Sequence, residues 1–325
     1  MTKAPSRLTR RTLLAAALAA AVPLASAQAF PNKPVRILVG YSAGGGVDAV
    51  ARMLAQRLPA VLGQQVVVEN RAGASGMIAA ELVAQSAPDG YTLLLGESGM
   101  LITSLLQPRA NVDPIKSFTP VAGAFVLPLM IVANNDLPAS NPKELVSLLK
   151  SSPGKYSYAT SGVGTVHHLG FEMMKAQTGT FIVHVPYRGA SQIVPDVMSG
   201  QIPIGVVSAA AGLAQSRAGK LKAIGLMSAG KLPGAENVPA MAEALPGFDA
   251  APRLMLLAPA GTPAPVVAKL DEAVRTVLAT DELAQAAAKQ GAIPAYQPPA
   301  KVGPALAQES ADWARIIKAQ KISGQ

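Results

Sequence analysis

Apolar positions in this chain follow two periods in turn. Short β-rich runs at 35–39, 66–69 and 92–95 alternate with stretches in which apolar residues recur every three or four positions. In the first such stretch Val47, Val50, Ala51, Leu54 and Leu58 share one face and Arg52, Gln56 and Arg57 mostly occupy the other, which predicts a helix over 47–62. A second helix is predicted over 75–84, and Pro88-Asp89-Gly90 after it is a turn in which Pro fixes φ and Gly accepts a positive one. Another block begins with a strand at 129–133, then a helix near 142–149, a strand at 156–159 and a helix from Thr165. A strand at 181–185, a helix over 190–198 and strands at 204–207 and 221–227 complete it. After a strand at 254–258 the C-terminus reads as predominantly helical. Such alternation predicts an α/β fold with mostly parallel sheets. No Ser/Gly tract separates the blocks, so strands rather than a flexible tether are expected to join them.

Two of these strands run directly into glycine turns that feed helices. The first turn is Gly40 to Gly46 and the second is Thr160 to Gly164, more than a hundred residues on. Backbone without side chains can approach a ligand closely, and the unpaired N–H groups at a helix start, at the positive end of its dipole, attract anions. Two such cradles predict one small anionic ligand held between two lobes. In the first, the N–H groups of Ser42, Ala43, Gly44 and Gly45 and the Ser42 hydroxyl are candidate donors, with Tyr41 beside them. In the second the candidates are Thr160, Ser161, Gly164 and Thr165, where a capping Thr165 hydroxyl would lie beside free amides. Ser98 follows a strand, where the carboxyl ends of parallel strands present ligand contacts. Arg188 is a candidate partner for a second carboxylate or else a solvated surface arginine. Asp48 reads as a structural residue stabilising the dipole end, His168 as packed within its helix, and Met173, Met174 and Trp313 as core.

Residues 1–27 read as an export signal: Lys3, Arg7, Arg10 and Arg11 precede an apolar run from Leu13 to Val22, and Ala25-Ser26-Ala27 fits a small-x-small cleavage site. The Arg10-Arg11 pair admits either the twin-arginine or the ordinary route. A periplasmic protein is therefore expected. Removing the signal's four basic residues from 28 Lys/Arg against 19 Asp/Glu leaves a net charge of +5, spread without a basic run, which argues against nucleic acid. With no cysteine and three histidines lacking ligand spacing, neither disulfides, a metal site nor a cofactor is expected.

Pro31 to Ile37, Gly44-Gly45-Gly46-x-Asp48, Val66 to Gly76 and Ala87 to Leu94 form an ordered set of motifs. Ser161-Gly162-x-Gly164-Thr165 with His168-Leu169, Val183 to Gly189 and Ala258 to Pro263 extend it over nearly the whole chain after the signal. The set resembles the Bug-type substrate-binding proteins of tripartite tricarboxylate transporters. The resemblance implies a type II periplasmic-binding-protein fold, with a discontinuous lobe of 28–127 plus 252–325, a second lobe of 128–251 and a cleft between. It further implies a receptor, expected to be monomeric, that captures a small carboxylate and delivers it to the transporter's membrane subunits. A receptor that docks on a membrane sensor instead is a separate alternative. Two departures stand out. Ser42-Ala43 replace the stiff prolines usual before the family's glycines, and Ser208-Ala209-Ala210 replace a frequent Asp-Asn pair. Ser208 is then a candidate ligand contact. The missing acid favours a plain mono- or dicarboxylate, aliphatic or aromatic, over an amino acid.

Gly40-Tyr41-Ser42-Ala43-Gly44 also satisfies the G-x-S-x-G pattern of a nucleophile elbow, so a secreted serine hydrolase using Ser42 is the rival. That fold needs several strands upstream of its elbow, and here the pattern follows the first. No enzymatic activity is expected.

Overall fold

The computed structural model describes residues 30–107, 112–187 and 192–323, so the proposed signal lies outside the described residues. Its strands are β1 Val35–Val39, β2 Val66–Asn70, β3 Thr92–Glu97, β4 Phe118–Val126, β5 Leu129–Ala133, β6 Ser157–Thr160, β7 Val183–Pro186, β8 Ile204–Ser208, β9 Lys222–Leu226, β10 Arg253–Pro259 and β11 Ile293–Gln297. They form two sheets, ordered β11-β4-β10-β3-β1-β2 and β7-β6-β8-β5-β9.

The sheets are mixed, which corrects the expectation of mostly parallel pairing. β1 pairs in parallel with β2 and β3, and β6 with β7 and β8, whereas β10 is antiparallel to β3 and β4, β11 to β4, and β5 to β8 and β9. The reason lies in where the chain changes sheets. β1, β3, β6 and β8 end at the gap between the sheets, where the next helix begins. β5 enters the second sheet just after Leu127-Pro128, and β10 returns to the first just after Ala251-Pro252, so both start at the gap and run away from it. Each must oppose neighbours that run toward it. The two crossings are tied together by the Leu127 N–H donating to the Pro252 carbonyl at 2.9 Å.

Side chains alternate across the first sheet as a pleated strand requires. Leu93 and Leu95 of β3 share an apolar cluster with Val50, Leu54, Leu270 and Val274, while Leu94 joins Val83, Leu101, Leu306 and Trp313 on the other face. The predicted helix over 47–62 is two pieces, Gly46–Arg57 and Pro59–Leu62, because Pro59 has no N–H to continue the ladder. The helix predicted from Ser75 starts at Met77, since Ser75 sits at φ 48°. Strands β4 and β11 are additions to the predicted elements, and of the helix predicted over 190–198 the structure describes Ile193–Met198.

Candidate functional site

A cavity of about 440 Å³ lies between the sheets. Four strand-to-helix turns surround it, those opening the helices Gly46–Arg57, Gly99–Leu106, Val166–Thr178 and Ala209–Arg217, and Leu127, Pro128 and Pro252 of the two crossings line it too. Gln290 and Gly291 line it as well. Four helix N-termini therefore bring their positive dipole ends to one space, though the first N–H of two of them is engaged, Gly99 with Glu97 Oε2 and Ala209 with the Pro128 carbonyl, each at 2.9 Å. Among the described residues the lining holds no lysine or arginine.

Of the candidate site residues, Tyr41, Gly44, Gly45, Ser161, Thr165 and Ser208 line the cavity. Other candidates are turned away or already engaged. Ser42 and Ala43 are exposed outside the lining, because the Ser42 carbonyl accepts from the Gly45 N–H at 3.3 Å and folds the turn outward. The Gly44 N–H is spent on Asp48 Oδ2 at 2.9 Å. Asp48 is buried and also accepts from Arg52 Nε at 2.9 Å and Asn70 Nδ2 at 2.8 Å. Burial pushes its pKa up, but these hydrogen bonds outweigh burial and hold it below the ordinary value, so Asp48 is a structural anion. The free amides at the first turn belong instead to Gly46 and Val47, the first residues of the helix, and both line the cavity.

In the second turn the Thr165 hydroxyl donates to the Gly162 carbonyl at 2.8 Å and accepts from the His168 N–H at 3.3 Å, capping the helix. The unpaired amides of Val166 and His167 follow it into the cavity. Thr160 is fully buried, its hydroxyl 2.6 Å from His184 Nε2, and so faces the lobe interior. The Gly164 N–H is taken by His168 Nδ1 at 3.3 Å, and this glycine borders a separate recess with Leu106 and Val163. Ser98 is also fully buried, its Oγ accepting from the Arg253 N–H at 2.9 Å. Arg188 lies outside the described residues.

Sequence reasoning missed Ser75, Glu97 and Gly99, which form one corner of the cavity. Glu97 Oε2 accepts from the Tyr41 hydroxyl and from the Gly99 N–H at 2.9 Å. Burial pushes its pKa up to about 7 against the pull of those two donors, with Glu309 adding a like charge. The acid absent from the β8 loop is thus present on β3. His167 is desolvated and its pKa falls well below the ordinary value, so the ring is neutral near pH 7.

The nucleophile-elbow reading finds no support. Among the described residues the non-glycine positions with positive φ are Ala74, Ser75 and Lys321, so Ser42 lacks the strained backbone of an elbow. His168 and His184 are stacked on each other, ring centroids 4.0 Å apart, within the second lobe.

Two mixed sheets, between which the chain crosses twice beside a cleft walled by helix N-termini, define a two-lobed solute-binding protein. Residues 50–322 match the tripartite tricarboxylate transporter family receptor, and the chain belongs to that family. It is 33% identical to BugT of Bordetella pertussis, over 90% of this chain and 91% of that one. It resembles the periplasmic binding protein BugD at 31% identity and a TM-score of 0.76, covering 91% of this chain and 100% of BugD. Rhodopseudomonas palustris Rpa4515, solved with adipate, is 30% identical with a TM-score of 0.79 over 90% of this chain and 99% of that one. MatC of the same organism, solved with bound malate, is 30% identical with a TM-score of 0.73 over 89% and 100%.

Proposed function

We propose that this receptor binds a small mono- or dicarboxylate in the cavity between its sheets and delivers it to the membrane subunits of a tripartite transporter. The observation that carries the reading is the convergence of four helix N-termini on a space whose described lining has no basic side chain. Backbone amides and hydroxyls must then neutralise the guest, which suits a compact organic anion. Relatives solved with adipate and malate support the same ligand class. In this reading 1–27 directs export to the periplasm, and 28–127 plus 252–325 closes against 128–251 about the paired crossings.

The energetics suffice. Micromolar capture needs about −8 kcal/mol, and hydrogen bonds to a charged group contribute ~1.5–3 kcal/mol each. Four or five donors reach that range after ordering costs. A thermal-shift screen of small acids, amines and neutral sugars tests it, because a ligand at a hundredfold its Kd stabilises by about 2.7 kcal/mol. Carboxylates should raise the melting temperature. Shifts from amines or sugars alone would end the carboxylate reading.

A further inference from the structure

Glu97 carries more than the role of capping a turn. It is 7% exposed, lines the cavity, and its two donors both converge on Oε2. Oε1 is left without a partner among the described residues. An ionised Glu97 would compete with a bound anion for the same helix ends and repel it, with no basic side chain in the described lining to offset either charge. The apolar walls, Val47, Leu127, Leu129 and Val166, make an uncompensated pair of like charges costly.

We propose that Glu97 holds the captured acid in its protonated form, donating through Oε1 to a ligand oxygen, so that capture takes up a proton and selects a second acceptor terminus over an ammonium group. This deepens the carboxylate reading above and rests on it. A neutral carboxylic acid kept in an apolar site is a hydrogen-bond donor, whereas an ionised one would accept from an amine. The Tyr41 hydroxyl and the Gly99 N–H pull Glu97 toward its ionised form, but burial and a neighbouring like charge outweigh them. Glu309, from the helix Pro299–Ala319, presents a like charge, and His167 across the cavity is neutral. Tyr41 supplies a hydroxyl rather than a cation. Arg253 is paired with Asp249 at 2.5 Å and both bear on Glu309.

The test is calorimetry on the mature chain with adipate, malate, benzoate and glutamate between pH 6.5 and 9, in two buffers of different ionisation heat. The Kd for the binding acid should rise toward tenfold per pH unit above pH ~7, with uptake of about one proton per ligand at pH 8. Glu97→Gln, whose amide donates as the neutral acid does, should flatten the profile and abolish uptake. Glu309→Gln should keep the slope and move its onset to lower pH, and His167→Gln should keep the slope. A wild-type Kd independent of pH, uptake that persists in E97Q, or uptake lost in H167Q would overturn the proposal. So would glutamate binding that depends on an ionised Glu97. The wild-type proton count decides the matter even if E97Q does not fold. If none of the acids binds at any pH while an amine or sugar does, the carboxylate reading fails and the proton coupling falls with it.

Discussion

Gly291→Ala tests whether the two lobes meet in the state that holds the ligand. Gly291 belongs to the first sheet's side of the cavity and sits at φ 65°, and a Cβ placed on it would lie 2.9 Å from the Ala210 backbone nitrogen and 3.1 Å from its Cβ. Ala210 is the second residue of the helix Ala209–Arg217 on the opposite lobe, a position that backbone holds firmly. Two costs follow, and they separate. Strain from a side chain at positive φ, about 1–2 kcal/mol, is present with the cleft open or closed, so it lowers folding stability and cancels from binding. Overlap with Ala210 exists only when the lobes meet, and crowding a packed contact costs ~1–3 kcal/mol. Ligand affinity should then fall by roughly 5–150-fold. Gly63→Ala is the matched control, because Gly63 has φ 72° with nothing within 4 Å of a Cβ. Calorimetry gives Kd and urea unfolding gives stability for both variants. Equal stability losses with weakened binding in G291A alone is the expected result. If G291A binds as tightly as G63A, the lobes do not approach this closely around the ligand and the closure argument is wrong.

Three further outcomes are expected. Gly40→Ala should destabilise by about 3 kcal/mol in urea unfolding, since its Cβ would fall 2.2 Å from the Gly76 Cα, a backbone atom that cannot step aside. Thr165→Ala should cost about 1 kcal/mol of stability and weaken acid binding, because one hydroxyl both caps the helix Val166–Thr178 and borders the cavity. Burial holds the His168 and His184 imidazoles down to about 4, so their contribution to stability is complete above pH ~6.5 and is lost as pH falls toward 4. Glu97, raised to about 7, titrates with the opposite sign over part of that window. Urea midpoints between pH 7 and 4.5 in a Glu97→Gln background should fall with pH, and His168→Gln should lessen that fall while His167 and His184 keep their share.

The parts of the fold that were legible in the sequence are those whose signal is local. Val50, Ala51 and Leu54 recur on one helix face and are buried there, and the glycine turns after β1 and β6 do present residues to the cavity. β4 escaped because Pro120 and Gly123 break its run, and β11 because Pro294 interrupts a short edge strand. Mixed sheet direction escaped for a different reason: it follows from where the chain changes lobes, which no period records. At the first turn the free amides lie two residues beyond the expected ones because Asp48 claims the Gly44 amide. That i to i+4 spacing of glycine and acid at a helix start was visible and went unused. Glu97 was hidden at the end of the apolar run Thr92–Glu97, and its hydroxyl partner Tyr41 lies 56 positions away. Ser98, Thr160 and Gly164 sit at strand ends or turns as expected, yet their polar groups meet Arg253, His184 and His168 inside the protein.

The central claim is that opposed main-chain amides grip an organic acid between the sheets. A crystal structure of the mature chain with the acid that most raises its melting temperature tests it most directly. The account predicts carboxylate oxygens within ~3 Å of the amides of Gly46 and Val47 on one side and of Val166 or His167 on the other. An acid lodged outside this cavity, or held there by a lysine or arginine with those amides unoccupied, would contradict it.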